Sequence, residues 1–222
     1  IKMGAATNTD DADGEVIATS TKRPTDTEII EKLKTFQGET MQVPPKFSAV
    51  KIDGERAYKL ARAGKEVKVS ARPLLVSKLI LIERPSVDTA ILEMTCGKGG
   101  YVRAIARDLG DALGCYAHVL NLRRVWAGPF NLKSCVTLKT IESFAKTLEI
   151  DQFLLPLEEG LTDLPKGTTN AEGATKLRNG NSAVCFANAD YGDEIWASYD
   201  GKAQAIGHFK SGAIYPKRVI IQ

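Results

Sequence analysis

Cysteine and histidine are scarce in this chain. Cys96, Cys115, Cys135 and Cys185 lie far apart, none forms a C-x-x-C pair, and His118 and His208 are the only histidines. A zinc site has little to be built from, and reduced thiols are the simpler expectation. No apolar run reaches the roughly 18 to 20 residues that a membrane span requires. The first five residues, Ile1 to Ala5, contain no apolar core of the kind a secretory signal needs. There is no G-x-S-x-G elbow and no dinucleotide fingerprint. The acidic run Asp10-Asp11-Ala12-Asp13-Gly14 fails the calcium-loop spacing, because Thr9 and Ser20 hold the first and last ligand positions. A capped turn is expected there instead.

With 222 residues, 43% of them hydrophobic, the chain can bury a core and has room for one large domain and a small one. Its net charge of +3 is only mildly basic, so the placement of charge matters more than its sum. Position 1 is not Met, and the first residues read as the middle of a strand, so a fragment of a longer polypeptide is expected.

Residues 4–14 read as a polar turn, followed by a strand from Glu15 to Thr19. Thr25 and Glu28 are spaced as a capping box for a helix whose apolar face is Ile29, Leu33 and Phe36, with Gly38 as the stop. Val43-Pro44-Pro45 is a stiff extended entry to 47–52, and Asp53-Gly54 closes a tight turn. A short helix is expected from Glu55 to Ala63, with Tyr58 and Arg62 four apart on one face. Strands follow at Leu74 to Ile82 and Ala90 to Cys96. Val102, Ile105, Ala106, Leu109 and Leu113 then recur at helical spacing until Gly114, with Arg103 and Arg107 four apart on a different face. A strand from His118 to Leu122 runs into Arg123-Arg124, and Thr137 is positioned to cap a last helix through Leu148. Composition shifts at Leu155-Pro156 and Leu164-Pro165, and residues from about 166 read as a small β-rich domain.

Three constellations stand out. Gly97-Lys98-Gly99-Gly100 lacks the earlier Gly and the following Ser or Thr of a Walker A loop. Taken alone it reads first as a plain strand-to-helix turn and second as an anion cradle. Tyr101 and Arg103 follow it in the first helical turn, where an Arg can clamp a carboxylate or phosphate and a Tyr can stack on a base or move a proton. Leu122-Arg123-Arg124-Val125-Trp126 suits an RNA backbone, or is a solvated charge pair beside a core Trp. Pro44 to Lys51 allows close approach of another chain, or is an edge strand guarded by lysines.

In this order the segments resemble the TruB family of tRNA pseudouridine synthases, of the bacterial type, along nearly the whole chain. The resemblance is carried by Thr7-Asn8-Thr9-Asp10-Asp11-Ala12-Asp13-Gly14, by Val43 to Gly54 with its continuation to Gly64, and by Cys96 to Arg103 followed by Asp108-Leu109-Gly110. Leu113 to Val119, Leu122-Arg123-Arg124 and Gly128-Pro129-Phe130 complete it. It implies an α+β fold, a mixed and mainly antiparallel sheet flanked by helices, with a small C-terminal PUA-like β-barrel. The implied domains are a synthase domain over 1–150 lacking its N-terminal part, a linker over 151–165 and an RNA-binding domain over 166–222. It further implies cofactor-free isomerisation of the T-loop uridine of tRNA, flipped out of its stack. In such an enzyme Tyr101 lies against the uracil and Arg103 pairs with the catalytic aspartate, while Leu122 lines the pocket. Lys51, Arg62, Lys98, Arg123 and Arg124 become candidates for RNA contacts. The T-arm of tRNA is the implied partner, for a cytoplasmic monomer with no metal, no membrane and no obligate protein partner.

The sequence departs from the family at one place. The G-x-x-G-x-L-D-P-x-A-x-G motif that carries the catalytic Asp is not found in these residues, and the Tyr that stacks on the flipped base would lie upstream of Ile1. Arg103 is therefore expected to lack a carboxylate partner, and the 222 residues alone to be inactive. The alternative is a non-catalytic tRNA-binding protein that uses the same cleft.

Overall fold

The computed structural model describes residues 1–221, which fall into two compact units, one spanning Ile1–Arg123 and the other beginning at Arg124. Each is an α+β unit with its own buried core.

The first unit is built on a five-stranded sheet. Across it run Gly38–Gln42, Arg72–Ser86, Thr89–Cys96, Lys2–Met3 and Ala117–His118, every neighbouring pair antiparallel. Alternation along the two long strands sends Leu74, Val76, Leu79 and Ala90 to one face. There they pack with Ile29 and Leu33 of the Asp26–Lys34 helix and with Ile105, Leu109 and Leu113 of the Val102–Leu113 helix. The opposite face leaves Leu75, Ile80, Ile82 and Ile91 exposed.

The first helix starts as its capping box dictates: the Thr25 hydroxyl accepts from Glu28 N–H, and the Glu28 carboxylate accepts from Thr25 N–H. It stops earlier than expected, at Lys34 with Thr35 as cap, and Gly38 opens the edge strand instead, with φ +87. The Val102–Leu113 helix ends at Gly114 in the left-handed conformation that Gly adopts without strain. Asp53 and Gly54, with φ 49 and 87, form the tight turn between Lys51–Ile52 and Glu55–Arg56, so the next helix runs only Ala57–Arg62. The strand expected over His118 to Leu122 reduces to Ala117–His118. Beyond it Val119 N–H donates to Asp10 O across to the polar turn.

In the second unit Thr137 caps a helix as expected, but that helix ends at Phe144, and a 3₁₀ segment Leu148–Phe153 follows. Leu138–Phe144 buries none of its side chains, so packing does not extend it. The larger element is a six-stranded sheet in the order Ala183–Val184, Ala213–Val219, Lys202–Lys210, Glu194–Tyr199, Lys166–Thr168, Phe186–Ala187. Its first and last strands are separated in sequence by Cys185 alone, so the sheet must curl until its ends adjoin. That is barrel geometry. The Ala171–Arg178 helix buries Ala174 and Leu177, and Leu177 joins Cys185, Ile195, Ala205 and Ile214 in the core.

Candidate active site

The site of interest gathers at the start of the Val102–Leu113 helix. Gly99 takes φ +85 in the turn that enters it, a conformation closed to most side chains. Tyr101 occupies the N-cap position but cannot cap with a phenol. Its backbone is held instead by the buried Gln42 amide, which accepts from Tyr101 N–H at 2.8 Å and donates to Tyr101 O at 3.1 Å. The ring is thereby free to pack on the Val50, Ala57 and Val67 cluster.

Arg103, two residues on, and Arg107 project together, four residues apart. Arg103 Nη1 donates to Asp11 Oδ2 at 3.0 Å and to Thr9 O at 3.2 Å, and its Nη2 donates to Phe47 O at 3.0 Å. Arg107 repeats the pattern with Asp10 Oδ2 at 3.0 Å and Val43 O at 2.8 Å, and its Nε donates to Asp108 at 2.8 Å. Two neighbouring aspartates thus meet two arginines spaced by one helical turn. The same arginines fasten the 9–11 turn and the 43–47 segment to one helix. Burial pushes the Asp10 carboxyl up from its ordinary range, against the pull of Arg107. Burial also opposes the Arg107 charge, but its hydrogen bonds and proximity to Asp108 and Asp10 outweigh that and hold it above its usual value.

The turn itself is capped from within. Thr9 Oγ1 donates to Asp11 Oδ1 at 2.6 Å, Asp13 N–H donates to the same oxygen at 3.2 Å, and Glu15 N–H donates to Asn8 Oδ1 at 3.1 Å. Asp11 Oδ1 therefore serves the turn, and Oδ2 serves Arg103. Arg103 was expected to lack a carboxylate partner; the structure corrects this only in that Asp11 pairs with it, at 3.0 Å. The T-x-T-x-D spelling places Asp11 two residues after Thr9, and the capped turn then swings its carboxylate to the helix. A sequence gives no distance between residues 92 apart.

These groups line an open cleft of about 590 Å³, shared by Thr9, Asp11, Ser48, Tyr58, Tyr101 and Arg103 among others. Arg62 is also a lining residue and lies 5.5 Å over the Tyr58 ring, as their i, i+4 spacing allows. Of the residues singled out from sequence, the cleft brings together Tyr101, Arg103 and Arg62. Lys51, Lys98, Arg123 and Arg124 are exposed and are not among its lining, nor is Leu122, 64% exposed. Asp11, Ser48 and Tyr58 are lining residues that sequence reasoning did not single out. In the cleft the Asp11 carboxylate meets the Arg103 guanidinium beside the Tyr58 and Tyr101 rings. Such a set can hold a planar polar ring and orient a charged reactant.

Residues 1–102 match the model of the TruB family pseudouridylate synthase N-terminal domain, and residues 103–162 match that of the tRNA pseudouridylate synthase B C-terminal domain. A tRNA pseudouridine synthase B of Ruegeria sp. (strain TM1040) is 61% identical over 223 residues, covering 100% of this chain and 74% of that protein. The protein of the same name from Ruegeria pomeroyi is 59% identical, covering 99% of this chain and 73% of its own length. Among solved structures, a Cbf5-Nop10-Gar1 complex contains a chain of similar fold. Its TM-score is 0.68 at 22% identity, over 90% of this chain and 63% of that one.

Proposed function

Because the chain belongs to the TruB family of pseudouridylate synthases, we propose that it converts the T-loop uridine of tRNA to pseudouridine, with its nucleophilic aspartate supplied from outside these 222 residues. The observation that carries this reading is the first turn of the Val102–Leu113 helix, where Tyr101 and Arg103 enter one cleft. The reaction breaks the N1–C1′ bond, turns the uracil, forms a C5–C1′ bond and moves the C5 proton to N1. No atom is gained or lost, and no redox step arises, so no cofactor is needed. Tyr101 lies against the uracil and is the candidate for proton transfer at C5. Arg103 holds the nucleophilic carboxylate ionised and oriented, and Asp11 holds Arg103.

A uridine buried in its stack cannot reach such a cleft, so base flipping belongs to the proposal. Leu122 is assigned to the pocket wall in the nucleotide-bound enzyme. Lys51, Arg62, Lys98, Arg123 and Arg124 are assigned to the RNA backbone, where cations position without reading sequence. The proposed division remains a synthase domain over 1–150, a linker over 151–165 and a PUA-like domain over 166–222 that grips the acceptor-stem side. A cytoplasmic monomer with no obligate protein partner suffices for this chemistry. Among the described residues no helix is long and apolar enough to cross a membrane.

The relatives extend beyond the match by about a quarter of their length, as the 74% coverage implies. The nucleophile is assigned to that part. The test is pseudouridine formation in a T-arm hairpin by this chain and by a polypeptide extended through a G-x-L-D segment. Turnover is expected only from the extended form, with salt-sensitive hairpin binding by both. Turnover by the 222 residues alone would move the nucleophile into this chain, with Asp11 the carboxylate best placed. No turnover by either form would end the proposal.

A further inference from the structure

Ser48 sits among the lining residues of the cleft, 4% exposed, and its Oγ has no hydrogen-bond partner among the described residues. Buried hydroxyls rarely go unpaired, because removal from water without replacement costs free energy. The position is not loose. The preceding carbonyl, Phe47 O, accepts from Arg103 at 3.0 Å, and Ser48 O accepts from Tyr58 N–H at 3.0 Å. The backbone of the residue is thus pinned on both sides by groups of the same cleft, and its hydroxyl has no partner among the described residues.

Arg103 divides itself among Asp11, Thr9 O and Phe47 O. Arg62 is exposed and rests on the Tyr58 ring. We propose that Ser48 is a further recognition residue, its hydroxyl donating to an acceptor oxygen of the nucleotide seated in the cleft. This rests on the nucleotide-binding reading above and adds to it the group that reads the ligand. The acceptor is a uracil carbonyl or a phosphate oxygen, both of which a hydroxyl can serve. A ligand without such an oxygen would leave the hydroxyl orphaned, so the group discriminates as well as binds.

The free and bound states should respond to Ser48→Ala in opposite directions. With no partner to lose, the free chain should keep or raise its melting temperature. Affinity for a T-arm hairpin, read by fluorescence anisotropy, should fall about fivefold to tenfold, as for one lost hydrogen bond. A hairpin with an abasic nucleotide at the target position separates the two sources. If the difference between wild type and variant vanishes there, the acceptor is on the base; if it persists, it is a phosphate oxygen. Equal affinity of the two proteins for the intact hairpin would overturn the role of Ser48 while leaving the proposed function standing. A clear fall in the free chain's melting temperature would show that the hydroxyl serves the fold, and would overturn it too. Failure of the wild-type chain to bind the hairpin at all would overturn both readings together.

Discussion

The Arg103–Asp11 pair can be weighed by a double-mutant cycle with Arg103→Met and Asp11→Asn. Methionine keeps much of the arginine stem and asparagine keeps the carboxylate outline, so the cycle removes charge more than volume. At 3.0 Å the bare attraction is about 5.5 kcal/mol for an effective dielectric of about 20. Both side chains are only about a quarter exposed, at 27% and 25%, so each also loses hydration on folding. That loss cancels most of the attraction, as it does for partly buried pairs generally. Exposed pairs couple by about 0.2–1 kcal/mol, and this one, half-buried with its Arg braced by Thr9 O and Phe47 O, should couple by about 1–2 kcal/mol. Guanidinium-chloride unfolding of the four proteins, followed by far-UV circular dichroism, reads the coupling from midpoints and slopes. A coupling below about 0.3 kcal/mol, inside ordinary additivity, would refute the claim that this pair fastens the turn to the helix.

In a polypeptide carrying the nucleophile, Arg103→Lys should lower turnover at least about tenfold, or about 1.4 kcal/mol, because the planar fork that serves Asp11 and two carbonyls is lost. Turnover within about twofold of wild type would remove Arg103 from the mechanism. Gly110 leaves no room for a side chain, since a Cβ there would lie 2.2 Å from Ala117 N and 2.5 Å from Tyr116 C. Gly110→Ala should therefore destabilise the first unit by about 3 kcal/mol or more, read by chemical denaturation; an unchanged midpoint would contradict that close approach. Burial pushes the Cys185 thiol up to about 11, so near pH 8 almost none of it is thiolate. Cys135 is exposed and should be labelled first by a thiol reagent in the native chain, while Cys185 waits for unfolding. Equal labelling rates would contradict the burial of the second core.

The legible parts of this fold are those whose signals are local. The period of Val102, Ile105, Leu109 and Leu113 marks the helix and its buried face, and Gly114 marks its end. Thr25 and Glu28 meet as a capping box because both partners lie within one turn. Boundaries failed where tertiary contacts decide them. The Asp26–Lys34 helix gives way before Gly38 because that residue already pairs with Val76 across the sheet. Thr137 caps a helix with no fully buried side chain to extend it, and it stops at Phe144. In the site, Tyr101 and Arg103 were visible because they sit beside a glycine turn in a single short stretch. Asp11 and Ser48 were not, since their significance lies in what the fold sets beside them from residues some 90 and 10 positions away. The resemblance to a family put the Val43–Gly54 stretch in its place, but said nothing of an unpaired hydroxyl within it.

The joint at Cys185 has a consequence for how the second unit comes apart. Ordinary sheets loosen from an outer strand inward, and their amide protons exchange in that order. Here the two outermost strands are consecutive in the chain, joined through a residue whose thiol lies in the core. Peeling one of them drags the other, and with it the opposite end of the sheet. Hydrogen exchange across Lys166–Thr168, Glu194–Tyr199, Lys202–Lys210 and Ala213–Val219 should therefore share one opening free energy instead of forming a gradient, which makes this unit a single foldon.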